Sequence, residues 1–184
     1  RNDCSVSETT RRNLAIKAFK KTAIYDSVIH DYLSSKVEKE LLPDEIPLGL
    51  KRIRSLRYGE NPHQSAGLYV SNKKEDSLAN AEIHQGKELS YNNFLDVNTA
   101  MNCAMEFDDP VCVIVKHVNP CGVAIGKNIK NAYERSFETD PESAFGGVIA
   151  VNRRVDKTFA TTLIENQFVE VLIAPHFSED ALDL

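Results

Sequence analysis

The stretch Val111-Cys112-Val113-Ile114-Val115-Lys116-His117-Val118-Asn119-Pro120-Cys121-Gly122 decides how this chain reads. Its first five residues are an unbroken apolar run rich in β-branched side chains. Such a run suits a parallel strand buried on both faces. It then stops on two titratable groups, Lys116 and His117, which are delivered to the carboxyl end of the strand. In α/β sheets that edge is where ligands bind. Ionisable groups emerging from a buried strand are costly unless solvated or paired. A histidine there can act as a general base near neutral pH, and a neighbouring ammonium can stabilise developing negative charge. Spacing alone leaves a plainer alternative open, in which both side chains end a strand and face solvent.

Working outward, the pattern alternates. Downstream, residues 122–125 read as a short strand, 129–137 as a helix, 148–151 as a strand, 157–165 as a helix and 169–174 as a strand. No clear closing element follows. Upstream, residues 94–107 read as a helix capped by Asn92 or Asn93. Its apolar face is Val97, Ala100, Met101, Ala104 and Met105, with the methionines as core filler. Residues 53–58 and 66–70 read as strands around a turn at Asn61-Pro62. Alternation of this kind predicts an α/β fold, a layered sheet with helices.

Residues 5–37 read as one long helix opened by a capping box, Ser5-Val6-Ser7-Glu8. Leu14, Ala18, Tyr25, Val28, Ile29 and Tyr32 recur on one face. Nothing of comparable size lies beside that face in the first 45 residues, so it is expected to be buried against a domain further upstream. Residues 36–49, with Pro43, Pro47 and Gly49, read as a linker. The expected division is therefore 1–45 and 46–184.

Composition narrows the function classes. The 184 residues are 42% hydrophobic and 27% charged, an ordinary globular balance. The net charge of −5, from 22 basic and 27 acidic side chains, argues against nonspecific nucleic-acid binding. A few local cations would still suffice for a small anionic substrate. No apolar run approaches the roughly 20 residues of a membrane helix, so no membrane partner is expected. The first residues, Arg1-Asn2-Asp3-Cys4, include neither a signal-peptide core nor an initiator Met. The expectation is a chain that was processed or that starts inside a longer one. Cys4, Cys103, Cys112 and Cys121 form no C-x-x-C pair, which fits free thiols in a reducing cytoplasm.

Other stretches are dense in groups that read small molecules. In Arg57-Tyr58-Gly59-Glu60-Asn61-Pro62-His63-Gln64, Arg57 can grip an anion and Tyr58 can stack on a ring. The alternative is a polar turn between two strands. In Ser143-Ala144-Phe145-Gly146-Gly147 the paired glycines permit close backbone approach, or simply form a tight loop. Sharper motifs fail. The run from Gly122 to Asn128 is one residue short of a phosphate loop, and no Ser or Thr follows Lys127. Cys112, His117 and Cys121 resemble scattered zinc ligands. However, Cys112 lies inside the buried run, and Pro120-Cys121 has no second cysteine after it, as a zinc deaminase would require. No catalytic metal is expected. His63, His84 and His176 have no ligand spacing and read as surface residues.

Four blocks, in order, resemble one family. They are RYGENPHQ from Arg57, QGKELSYNN from Gln85, KHVNPCG from Lys116 and DPESAFGGVI from Asp140. Upstream, LAIKAFKKTAIY from Leu14 resembles the helix that closes the family's first domain. The family is the bifunctional AICAR formyltransferase/IMP cyclohydrolase of purine biosynthesis. The resemblance implies a cytidine-deaminase-like half-domain over 46–184. Before it, residues 1–45 would be the C-terminal helix and linker of a methylglyoxal-synthase-like cyclohydrolase domain. It implies transfer of a formyl group from the co-substrate 10-formyltetrahydrofolate to the 5-amino group of AICAR, followed by cyclisation to IMP. The residues matching the family's roles are His117 as general base and Lys116 as its cationic partner. Arg57, Tyr58, Asn93, Gly146 and Glu170 match nucleotide-binding positions, Glu170 on the shortest anchor. The family is a cytoplasmic homodimer. The resemblance further implies an internal piece spanning the domain junction, with little or no activity alone. Two other readings remain beside it, a nucleotide-binding fragment without catalysis and an interaction fragment.

Overall fold

The computed structural model describes residues 5–37, 42–71 and 77–184. Cys4 and residues 38–41 of the expected linker lie outside them. The chain clusters into two compact units, Arg1–Ser55 with Gly67–Asn80, and Leu56–Ala66 with Ala81–Leu184.

The first unit contains a 27-residue helix, α1 (Glu8–Ser34), and an antiparallel pair, β1 (Leu50–Ser55) and β2 (Gly67–Ser71). The N-cap of α1 is Ser7, two residues later than the expected box, and its hydroxyl accepts the Thr10 amide at 3.2 Å. Of the expected apolar face, Leu14, Tyr25, Val28, Ile29 and Tyr32 are all exposed. Ser27 alone is buried in α1. Residues 42–49 form neither helix nor strand, as two prolines and a glycine dictate.

The second unit is built on a four-stranded sheet in the order β4-β3-β5-β6. Its strands are β3 (Val111–Lys116), β4 (Asn119–Ile125), β5 (Val148–Val151) and β6 (Val171–Ile173). The helices are α2 (Tyr91–Met105), α3 (Ile129–Thr139), α4 (Pro141–Ala144), α5 (Lys157–Asn166) and α6 (Glu179–Leu182). The short α4 and α6 have too few residues to leave a periodic signature. The expected α/β fold is thus observed, but with a mixed sheet. β3 is antiparallel to both of its neighbours, β4 and β5, and only β5 and β6 are parallel. This corrects the expectation of a parallel strand at residues 111–115. An unbroken apolar run reports cover on both faces and carries no information about direction.

That cover is complete: residues 111–115 are fully buried. Alternation along the strands divides the core. Cys112, Ile114, Ile149 and Val151 pack with Tyr133 of α3 and with Phe159 and Leu163 of α5. Val113, Val115, Val148 and Ala150 are equally buried on the other face, which α2 covers with Val97, Ala100 and Ala104. Met105 is exposed, at the last residue of α2, and is not core filler. Strand β4 runs from Asn119, further upstream than expected. It accommodates Pro120 because it is the edge strand and the register shifts there, with Ile114 opposite Gly122 and Val115 opposite Pro120.

Candidate functional site

The register explains how residues far apart in sequence come to one edge. Val115 pairs with Val148, and Val148 with Val171. One step beyond that row lie Lys116 at the end of β3, Gly147 immediately before β5, and Glu170 immediately before β6. The edge therefore combines one carboxyl end with two amino ends. It is not the carboxyl edge of a parallel sheet, so the expectation of a ligand site at such an edge does not apply to Lys116 and His117.

Lys116 is half-buried, and its Nζ donates to the carbonyl of Phe145 at 2.9 Å. This contact ties the ammonium to the backbone just before Gly146. Gly146 has φ +71, a conformation that disfavours any side chain, although nothing crowds the position. Its amide donates to Phe168 O at 2.8 Å, and the Glu170 amide donates to Gly147 O at 3.1 Å. The strap of residues 145–147 is thus stitched to residues 168–170 on one side and to Lys116 on the other.

Asn93 enters from α2. The N-cap of this helix is Ser90, not Asn92 or Asn93, and Asn93 completes a capping box with it. Its Oδ1 accepts from the Ser90 amide and from the Ser90 hydroxyl, each at 2.9 Å. With the oxygen so engaged, Nδ2 is free to donate to Glu170 Oε1 at 3.4 Å. The Asn93 side chain is buried, whereas Glu170 is exposed.

Arg57 and Tyr58 reach this helix through the backbone. The Arg57 amide donates to Leu89 O, and the Tyr91 amide to Tyr58 O, both at 3.1 Å. Asn92 Nδ2 adds a bond to Glu60 O at 3.1 Å. The Arg57 guanidinium lies 4.9 Å from the centre of the Tyr58 ring and donates to its hydroxyl at 3.2 Å. The loop is docked on the start of α2, with the guanidinium exposed and stacked.

His117 is the exception. Its ring is exposed and makes no hydrogen bond among the described residues. Its backbone is unusual instead. His117 and Val118 have φ 53 and 64, both left-handed. With Lys116 paired to Asn119 they form a two-residue hairpin turn whose central residues both need φ > 0. The Val118 amide donates to Asp96 Oδ1 at 2.6 Å, and Asn119 Nδ2 donates to His117 O at 2.8 Å. Asp96 was missed in the sequence. It lies three residues after Asn93 on the same helix, and that spacing places the two side chains on one face.

The cysteines behave as core and near-core thiols. Burial pushes Cys112 up to about 12, opposed in part by the Ser136 hydroxyl. Burial also raises Cys121, with Asp140 adding to the shift and Lys116 opposing it. Cys103, Cys112 and Cys121 are free. Among the described residues no group of three His, Cys, Asp or Glu side chains is gathered as metal ligands would be, and no helix is long and apolar enough to cross a membrane.

The fold and its edge define an α/β protein with cationic, acidic and amide groups brought to one end of a mixed sheet. The family described as AICARFT/IMPCHase bienzyme matches residues 1–184, and the chain belongs to that family. This places it in purine biosynthesis, among enzymes that pair AICAR formyltransferase with IMP cyclohydrolase activity. The family in general takes AICAR as substrate and uses 10-formyltetrahydrofolate.

Proposed function

We propose that this sheet edge is part of the formyl-transfer site, holding AICAR while His117 acts on its 5-amino group. The observation that carries the reading is the shared edge: Lys116 ends β3, Gly147 and Glu170 immediately precede β5 and β6 beside it, and Asn93 is bonded to Glu170. The AICAR amine is conjugated with its ring and is a weak nucleophile. As its nitrogen attacks the formyl carbon of 10-formyltetrahydrofolate, His117 takes the amine proton. Lys116 stabilises the charge on the formyl oxygen. The bond from that carbon to N10 of the folate then breaks, and N10 leaves with a proton. Arg57 binds the nucleotide as an anion and Tyr58 stacks beside it. Asn93, Gly146 and Glu170 fix its polar groups.

In this reading residues 1–45 end a cyclohydrolase domain, and 46–184 form the first part of a transferase domain that works as a cytoplasmic homodimer. Residues 1–184 alone are weakly active or inactive in formyl transfer. One observation favours a second reading, a nucleotide-binding fragment without catalysis: among the described residues no hydrogen bond reaches the His117 ring itself.

The test is His117→Ala in the full-length enzyme. The expected result is a large fall in kcat for formyl transfer with modest loss of AICAR affinity. An unchanged rate would remove His117 as the base. Calorimetric titration of residues 1–184 with AICAR, beside a formyl-transfer assay of the same sample, separates binding without turnover from no binding.

A further inference from the structure

The turn that presents His117 is held in a conformation that its own residues disfavour. Two successive non-glycine residues are left-handed, and the second is a β-branched valine. Such backbone persists only where its surroundings over-determine it, and it clusters at functional sites. The hairpin pairing on either side is one constraint. The other comes from outside the hairpin: the half-buried Asp96 carboxylate accepts the Val118 amide at 2.6 Å, across 22 residues of sequence. A charged acceptor at that distance makes a strong hydrogen bond.

The geometry points to Asp96 as the positioning residue of the formyl-transfer base. Its carboxylate bonds the backbone of the turn and not the imidazole. It acts by fixing the amide after His117, and so the direction in which the imidazole leaves the turn. Asn93, one turn earlier on α2, donates to Glu170. The same helix thereby sets the turn that carries the base and one of the groups proposed to hold the nucleotide. Registry between base and amine then depends on a rigid element and not on the loop alone. This role rests on the proposed function of His117.

The test is a double-mutant cycle in the full-length enzyme with Asp96→Ala, Asp96→Asn and His117→Ala. Asp96→Ala should lower kcat by about 10- to 100-fold, the scale of a small misplacement of a reacting group, with KM for AICAR changed less than about twofold. Asp96→Asn keeps an acceptor oxygen and should recover most of the rate. In the His117→Ala background Asp96→Ala should cost nothing further, because the two act as one unit. In NMR spectra the Val118 amide should move upfield and lose exchange protection in Asp96→Ala and stay close to wild type in Asp96→Asn. An unchanged kcat in Asp96→Ala, alongside a large loss in His117→Ala, overturns the positioning role and leaves the general-base reading standing. A full rate in His117→Ala sinks both. Additive losses in the double variant also overturn the role, since Asp96 would then act elsewhere. Should Asp96→Ala fail to fold, Asp96→Asn decides through its amide shift and kcat: an upfield amide with full kcat refutes the role.

Discussion

Replacing Val118 by glycine should stabilise the protein. The residue has φ 64 and is 46% exposed, so its side chain contributes little burial while its backbone is strained. For an L-residue the left-handed region costs roughly 1–2 kcal/mol. Glycine removes that cost but adds about 0.5–1 kcal/mol of unfolded-state freedom. The difference is a net gain of about 0 to 1.5 kcal/mol, or up to about 5 °C in Tm for a chain of this length. The amide is retained, so the bond to Asp96 remains possible. Urea denaturation of the wild type, Val118→Gly and Val118→Ala measures the effect. The midpoint should rise for glycine with unchanged slope, and rise less for alanine, which keeps the left-handed penalty while losing the branch. A loss of more than about 1 kcal/mol in Val118→Gly would refute the reasoning, because it exceeds glycine's entropic cost. An alanine variant as stable as the glycine one would do the same.

Three further outcomes follow from particular contacts. A Cβ at Gly122 would sit 2.2 Å from the carbonyl oxygen of Ser136, which is backbone and cannot swing away. Gly122→Ala should therefore push α3 off the sheet at a cost of at least about 1–3 kcal/mol, read from its unfolding midpoint; an unaltered midpoint would show that helix and strand separate freely. Cys112, with its thiol pushed up to about 12 and no exposure, should resist iodoacetamide at pH 8 in the native state. Peptide mass spectrometry should find Cys121 alkylated before Cys112; the reverse order would contradict the burial of β3. The Ser143 hydroxyl and amide hold the half-buried Asp140 carboxylate below its ordinary value of 3.8. A depressed carboxylate stabilises the folded state above its unfolded pKa, and that contribution is lost as pH falls through the folded one. The cap of α4 should accordingly loosen only below pH 3.8, followed through the Ser143 amide shift; a midpoint at or above that value would exclude the cap.

Much of the second unit was legible because its elements carry strong local patterns. The strand at Val148–Val151 was read with its bounds, and α3 and α5 to within two residues. Strand direction was not legible at residues 111–115, since burial on both faces looks the same in either orientation. The tight turn after Lys116 was hidden for a related reason. Two-residue hairpins of this type announce themselves by Asn-Gly, and His-Val gives no such sign. Asp96 left no trace because its partner is a backbone amide, which any residue but proline supplies. The residues proposed for the site came from ordered blocks of resemblance. The physical reason for their meeting, one row across β3, β5 and β6, required the register.

The two halves of that edge differ in how much chain must be organised before they exist. The turn at His117 and Val118 joins strands that are consecutive in sequence, and hairpins close in about 1–10 μs. The bond between Asn93 and Glu170 spans 77 residues. It has to wait for α2, β5 and β6 to collect, against the entropy of a long loop. Folding measurements should give φ-values near one for substitutions within the hairpin and near zero at Asn93. The group proposed to react is thus a local product of the chain. The groups proposed to recognise its substrate exist only once folding is complete, so partial unfolding would erase selectivity before it erased the reactive turn.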